Sequence, residues 1–165
     1  MKYLLILVAL SGATSVYGNW EKCIDGDLFV IDSLSRSWEA SKTLCSQNGG
    51  HLAVLATEDL TTQFKQFLND ENLDAHISKG MWIGFNDIQQ EGTFTWIDGT
   101  AWDYTDWFRT QPDNNNKRDS CHGQDCGQIW KWPRSNPTWQ WDDDYCFKSK
   151  PHVCQYESHQ TCNTP

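Results

Sequence analysis

Seven cysteines constrain the fold of this chain more than any other feature, because disulfides decide which segments of a small extracellular domain are held together. All of them lie beyond residue 20, and no two have CxxC spacing, which disfavours a zinc site. Because their number is odd, at least one is free or pairs between chains. They are Cys23, Cys45, Cys121, Cys126, Cys146, Cys154 and Cys162.

Residues 1–18 have the pattern of a secretory signal peptide. Lys2 supplies the positive charge, residues 4–10 form a short apolar core, and small residues lead to a cleavage site after Gly18. No apolar run reaches the length of about 20 residues that a membrane span needs. We therefore expect a secreted, extracellular protein without membrane insertion, in which residues 19–165 form a single domain with short terminal extensions.

The formal net charge of −9 at pH 7 limits the classes of partner. An acidic chain is repelled by nucleic acid and by anionic membrane surfaces, so we expect no nucleic-acid partner. The acidity is compatible with a cation site, although solubility alone also accounts for it.

Two helices are predicted in the first half of the chain. The first begins near Ser37, a candidate N-cap, and ends at Gly49 and Gly50. The second opens at Thr57, and the spacing of its apolar residues places them on one helical face. These residues are Leu60, Phe64, Phe67 and Leu68.

Beyond residue 80 the helical period disappears and short β-like runs follow. These runs cover residues 81–85, 94–96, 128–130, 139–141 and 152–156. A polar stretch between residues 100 and 127 separates them, and a loop of that length is usually functional or disordered. Helices first and strands afterwards predict an α+β domain.

Oxygen-bearing side chains concentrate in and after this polar stretch. Gln111 and Asp113 flank a proline, and Asp142 and Asp143 precede Cys146. With Gln124 they offer five oxygen ligands, which suit a hard cation such as Ca²⁺ that takes 6–8 of them. Five protein ligands would leave positions for the paired hydroxyls of a sugar.

Several motifs together resemble the C-type lectin domain family, in the family's order over about residues 20–157. They are Trp38-Glu39-Ala40, Gly50-His51-Leu52-Ala53, Trp82-Ile83-Gly84-Phe85, Trp96-Ile97-Asp98-Gly99, Gln111-Pro112-Asp113, Trp141-Asp142-Asp143, Cys45, Cys126, Cys146 and Cys154. The resemblance implies two helices packed on small antiparallel sheets with a long calcium-binding loop, and a cis bond before Pro112.

The resemblance also implies two disulfides, Cys45 with Cys154 and Cys126 with Cys146. The remaining three cysteines leave the pairings Cys23–Cys162, Cys121–Cys162 and Cys23–Cys121 open. Cys121 lies in a segment, Lys117 to His122, that looks inserted relative to the family. It is a candidate for pairing across a homodimer.

The calcium ligands implied by the resemblance are Gln111, Asp113, Gln124, Asp142 and Asp143. Gln124 stands where the family commonly has Glu, and Asp142 where it commonly has Asn. Since one carboxylate is lost and one gained, the charge around the ion is kept, and calcium binding should survive. Asp125 is a candidate for a second calcium site whose other ligands the sequence does not reveal.

Gln-Pro-Asp is the family's mark of preference for galactose or N-acetylgalactosamine over mannose. Gln111, Asp113, Gln124 and Asp142 would then contact the sugar as well as the ion. The family's usual Trp after this motif is missing, so Trp130 is the substitute ring expected to stack on the sugar, although ordinary packing also explains it.

These features favour a secreted calcium-dependent lectin for galactose-type glycans that acts in innate recognition or agglutination, with dimerisation raising avidity. The alternative is a C-type-lectin-like domain that binds a protein, mineral or ice without binding sugar. An enzyme is not expected, because the carboxylates are assigned to an ion and no nucleophile pattern stands out.

Overall fold

A computed structural model describes residues 19–115, 123–132, 138–159 and 162. The helices are α1 (Trp38–Gln47), α2 (Glu58–Asp70) and a short 3-10 helix (Leu73–Ala75). The strands are β1 (Asn19–Ile24), β2 (Asp27–Arg36), β3 (His51–Leu52), β4 (Met81–Asn86), β5 (Thr95–Trp96), β6 (Cys126–Lys131), β7 (Trp139–Asp144) and β8 (Lys150–Tyr156).

The described strands form one sheet in the order β1-β2-β8-β4-β6-β7, with β3 added to β8 and β5 added to β4. All pairings are antiparallel except that of β4 with β8, which is parallel and makes the sheet mixed. The predicted α+β class is therefore confirmed, with one continuous sheet in place of several small antiparallel ones. Among the described residues, no helix is long and apolar enough to cross a membrane.

The predicted order of helices first and strands afterwards is wrong at the N-terminal end. Strands β1 and β2 precede α1 and form a hairpin whose second strand pairs with β8. The apolar half of β2 is buried, whereas its second half is polar and its register with β8 shifts after Asp32. This change of character along β2 obscures the alternation of apolar and polar residues on which strand prediction depends.

Both predicted helices are confirmed with their caps. The Ser37 hydroxyl accepts from the Ala40 N–H at 3.3 Å, and the Thr57 hydroxyl accepts from the Leu60 N–H at 3.2 Å. Each cap satisfies one of the orphan N–H groups at a helix start. On α2, Phe64, Phe67 and Leu68 are buried as the periodicity predicted.

Aromatic side chains fill the core beneath the long loop. The Phe85 ring lies 5.1–5.4 Å from the rings of Trp102, Trp107 and Trp141, so the start of the loop is packed onto the sheet. Trp82 and Trp96 are also buried. Rigid aromatic packing of this kind gives the loop a defined base.

Three disulfides join described residues and close the fold. Cys45–Cys154 joins α1 to β8, and Cys126–Cys146 joins β6 to the turn after β7, which confirms both implied pairings. Cys23–Cys162 joins β1 to the C-terminal segment and excludes the two alternative pairings. Cys121 and the 1–18 segment interpreted as a signal peptide lie outside the described residues.

Candidate functional site

The platform of the site is the β6–β7 hairpin. In its register Gly127 faces Asp143 and Gln128 faces Asp142, and the Cys126–Cys146 bridge closes one end. Because successive side chains alternate across a strand, the consecutive aspartates 142, 143 and 144 meet different surroundings.

Asp143 anchors the long loop from below. Its carboxylate accepts the N–H of Asp113 at 3.1 Å and the N–H of Asn114 at 2.8 Å, and its side chain is fully buried. The Gln111–Pro112 peptide bond just before these residues is cis, as the motif implied. Burial raises the pKa of Asp143, although the hydrogen bonds from the loop backbone oppose that rise.

Gln124 ties the other side of the loop to the hairpin. Its Oε1 accepts the Asn115 N–H at 2.9 Å, and its Nε2 donates to the Asp143 carbonyl at 2.9 Å and to Asp144 Oδ1 at 3.1 Å. A carboxylate in this position could not donate and would face Asp144. The local environment therefore explains why glutamine stands where the family commonly has glutamate.

Asp142 is the least satisfied of the three aspartates. Its Oδ2 accepts from Gln128 Nε2 at 2.7 Å, while Oδ1 is buried and has no hydrogen-bond partner among the described residues. Burial, and then the negative charge of Asp143, raise the pKa of Asp142 to about 7. The environment thus favours a positive charge beside Asp142.

Asp144 already has positive partners. Lys148 and Lys150 form ion pairs with its two oxygens, and despite the opposing effect of burial these charges hold the pKa of Asp144 below its usual range. Asp144 is therefore neutralised within the protein, whereas Asp142, two residues earlier, is not.

A cavity of about 640 Å³ opens above this hairpin. Four of the five predicted metal ligands and the predicted stacking ring line it: Gln111, Asp113, Gln124, Asp142 and Trp130. Asp143 does not line it and lies beneath. Within the part of the chain that the structure describes, Gln111 Oε1, like Asp142 Oδ1, is buried without a hydrogen-bond partner, so two oxygens of the predicted set have unused acceptor capacity there.

Trp130 is held at the edge of the cavity by other rings. It lies 4.6 Å from Trp132, which in turn stacks on Phe108 at 3.9 Å. Trp139, at the start of β7, is buried and so cannot present its ring to a ligand. The half-buried Trp130 thus presents an oriented aromatic surface to the cavity.

Asp87 and Asp125 form a second acidic group in the structure. Asp125 was a candidate from the sequence, whereas Asp87 was missed. Asp87, directly after β4, donates its N–H to the Asp125 carbonyl at 3.1 Å, and its Oδ1 is buried without a hydrogen-bond partner in the described part of the chain. Burial first, then the charges of Glu91 and Asp125, raise the pKa of Asp87 to about 7. The signal available in the sequence was an aspartate at the end of a buried strand.

The lectin C-type domain family model matches residues 34–156. The chain belongs to the C-type lectin domain family. Members of this family are binding proteins and not enzymes, in agreement with the sequence-based expectation.

C-type lectins from invertebrates are among the relatives of this C-type lectin domain. Salivary C-type lectin 1 of Aedes albopictus is 29% identical over 157 residues, which are 93% of this chain and 95% of that protein. The alpha-N-acetylgalactosamine-specific lectin of Patiria pectinifera is 28% identical over 145 residues, 79% of this chain and 74% of that protein. C-type mannose receptor 2 of Homo sapiens is 31% identical over 141 residues, 83% of this chain but 8% of the receptor.

Solved structures show that this lectin fold serves different uses. The carbohydrate-recognition domain of mouse scavenger receptor C-type lectin has a TM-score of 0.66 at 23% identity, covering 88% of this chain and 97% of that chain. A calcium-independent type II antifreeze protein has a TM-score of 0.64 at 20% identity, covering 87% and 98%. The fold alone therefore does not decide between sugar and another ligand.

Proposed function

We propose that this protein is a secreted calcium-dependent lectin that prefers galactose or N-acetylgalactosamine-type glycans and acts in innate recognition or agglutination. The observation that carries the proposal is Asp142. It is a buried carboxylate with a raised pKa and with one oxygen that has no hydrogen-bond partner in residues 19–115, 123–132 and 138–159, at a cavity shared with the side chains of Gln111, Asp113 and Gln124.

The residues present fit a calcium ion. Gln111, Asp113, Gln124, Asp142 and Asp143 would hold it through oxygen atoms alone, the ligand type that calcium prefers. Gln111 Oε1 and Asp142 Oδ1, the two oxygens without hydrogen-bond partners among the described residues, would then coordinate the ion. Bound calcium would neutralise the carboxylates and offer coordination positions to paired sugar hydroxyls. Asp143, which holds the loop backbone, would orient Asp113 beside that ion.

Three features support galactose-type sugars. The Gln111-Pro112-Asp113 order of amide and carboxylate is the family's galactose mark, and one relative is named for its specificity for N-acetylgalactosamine. Galactose also has an apolar face that packs on aromatic rings, and Trp130 presents such a ring at the cavity edge. The salivary lectins among the relatives support an extracellular setting.

The second candidate is a protein, mineral or ice ligand without sugar binding. Its specific support is that Asp143 and Gln124 already hold the loop through hydrogen bonds within the protein. Asn115 also stands near the position where a sugar-stacking Trp is common in the family. On this alternative, calcium would be dispensable for the shape of the loop.

The test is retention of the full-length protein on immobilised galactose in Ca²⁺. We expect elution by EDTA and by free galactose but not by mannose, and loss of retention in Asp142→Ala, which removes both ligand oxygens. Asp103→Ala is the matched control, because it removes an exposed carboxylate that does not line the cavity. Retention that persists in EDTA would contradict calcium-dependent binding, and no retention in Ca²⁺ would favour the second candidate.

A further inference from the structure

A cluster outside the lectin site brings together three potential metal ligands: His51, Asp98 and Glu157. One donor atom from each, an imidazole nitrogen or a carboxylate oxygen, lies within 4.8 Å of the others. None of the three lines the cavity above the β6–β7 hairpin. We propose that this cluster is a second, independent metal site that binds Zn²⁺.

Strand pairing explains how the cluster forms. His51 begins β3 and pairs with Gln155 of β8, and Glu157 directly follows that strand. Gly50 allows this close approach, since a β-carbon there would lie 2.4 Å from the Gln155 carbonyl oxygen. Asp98 arrives from the turn after β5, so three separate parts of the chain meet at this point.

The hydrogen bond of His51 prepares it to bind a metal. Its Nδ1 lies 2.8 Å from the Leu52 carbonyl oxygen, and because a carbonyl can only accept, Nδ1 carries a proton. In the neutral form of the imidazole the lone pair is therefore on Nε2, which is buried and has no hydrogen-bond partner among the described residues. Metal-binding histidines are typically held in this way by a carbonyl on the other nitrogen.

The two carboxylates face that lone pair. His51 Nε2 lies 3.4 Å from Glu157 Oε1, and two ligand atoms at about 2.1 Å from a tetrahedral ion lie about 3.4 Å apart. Asp98 is held by Thr100, whose N–H and hydroxyl donate to its two oxygens at 2.9 Å and 2.6 Å. An imidazole with two carboxylates is a donor set that suits Zn²⁺ better than Ca²⁺.

The test is calorimetric titration of the metal-stripped, full-length protein with Zn²⁺ in excess Ca²⁺, which keeps the proposed lectin site occupied. We expect one zinc-binding step that weakens at least tenfold in His51→Gln and in Glu157→Gln. His76→Gln is the matched control, because it removes an exposed histidine on another element. Its zinc-binding step should equal that of the wild type.

Two further measurements separate zinc binding from a merely structural role. Co²⁺ should give a visible absorption band that His51→Gln abolishes, and thermal unfolding in EDTA should show that Glu157→Gln folds like the wild type. Glu157 is mostly exposed, so its substitution leaves the core intact even if His51→Gln does not fold. No zinc binding by the wild type, or an isotherm that neither substitution changes, would overturn the proposal. Galactose retention is scored separately and does not depend on this outcome.

Discussion

At the scale of single residues, the aspartates at 142, 143 and 144 share one strand but differ in their partners. Asp144 has two lysines, Asp143 has two backbone N–H groups, and Asp142 has only the Gln128 amide. A buried carboxylate without a positive partner is costly, and such groups concentrate at functional sites. Asp142 is therefore the residue whose substitution is most informative.

Asp142 predicts a pH dependence of stability in calcium-free protein. Its native pKa is raised to about 7, whereas its unfolded pKa is near 4. The native state then binds more protons in this window, so its contribution to the free energy of unfolding falls as pH rises from about 4 to 7. Between pH 5 and 7.5 in EDTA, the wild type should lose roughly 2–3 kcal/mol relative to Asp142→Asn.

Denaturant unfolding of both proteins across this pH range measures the difference directly. The comparison cancels the contribution of His152, whose buried imidazole has a lowered pKa of about 4 and acts in the opposite direction. Saturating Ca²⁺ should remove the difference at neutral pH, because a cation stabilises the charged carboxylate. If the free energies of unfolding of the wild type and of Asp142→Asn changed with pH in the same way in EDTA, the assigned environment of Asp142 would be contradicted.

Gln124→Glu should have opposite effects without and with calcium. In EDTA the new carboxylate loses the two donated hydrogen bonds and faces Asp144, which should cost about 1–3 kcal/mol of stability. In Ca²⁺ the additional charge should raise ion affinity, since ligand charge is a main determinant. Thermal unfolding and calcium titration measure both effects, and Gln66→Glu on the exposed side of α2 is the matched control.

Trp130→Ala should separate sugar binding from calcium binding. Loss of the ring should weaken galactose binding about tenfold, equivalent to about 1.4 kcal/mol, while calcium affinity stays unchanged. Phe147→Ala is the control, because Phe147 is 59% exposed and does not line the cavity. Competition assays with free galactose measure the change, and equal affinities of wild type and Trp130→Ala would show that the ring only packs.

At the scale of elements, the β6–β7 hairpin carries the ligands and the terminal strands close the domain. The Cys126–Cys146 bridge spans 20 residues of sequence, and Cys23–Cys162 spans 139. On the chain-entropy model these loops contribute about 3 and about 5 kcal/mol. The two bridges therefore predict different consequences for stability and for the site.

Replacing Cys23 and Cys162 together by alanine should lower the unfolding temperature more, yet leave calcium affinity unchanged. Replacing Cys126 and Cys146 should cost less stability but weaken calcium binding, because the hairpin that orients Asp142 and Asp143 loses its closed end. Calorimetric unfolding and calcium titration of both double variants provide the comparison. Equal losses of calcium affinity would show that the site depends on global stability alone.

At the scale of the whole molecule, Cys121 bears on how the proposed lectin reaches useful avidity. Three intrachain disulfides account for six of the seven cysteines, which leaves Cys121 available for a homodimer. Because single sugar sites bind weakly, a dimer would gain avidity without new contacts. We propose that Cys121 links two chains.

Cys121→Ser should therefore convert a disulfide-linked dimer into a monomer on non-reducing electrophoresis. Agglutination of galactose-bearing cells should fall by at least tenfold, whereas the affinity of one site for free galactose should not change. Sedimentation analysis of both proteins provides the control for non-covalent dimers. A wild-type protein that is monomeric without reductant would contradict the linkage.

Features that depend on residues close in sequence, or on the order of motifs along the chain, were predictable from the sequence. Helices α1 and α2 followed from the caps Ser37 and Thr57 and from apolar periodicity, because these interactions join residues three or four positions apart. The motif order identified the family and two disulfides, which the comparison and the structure confirm.

Only the tertiary structure decided which side chains meet across long stretches of chain. It placed Asp143 beneath the cavity, paired Asp144 with Lys150, set Asp87 beside Asp125, and brought His51 to Asp98 and Glu157. No periodicity links these positions, since their approach depends on strand order, on the parallel β4–β8 pairing and on close contacts such as that at Gly50. The sequence therefore identified the residue types of the proposed site, whereas packing determined their partners and charge states.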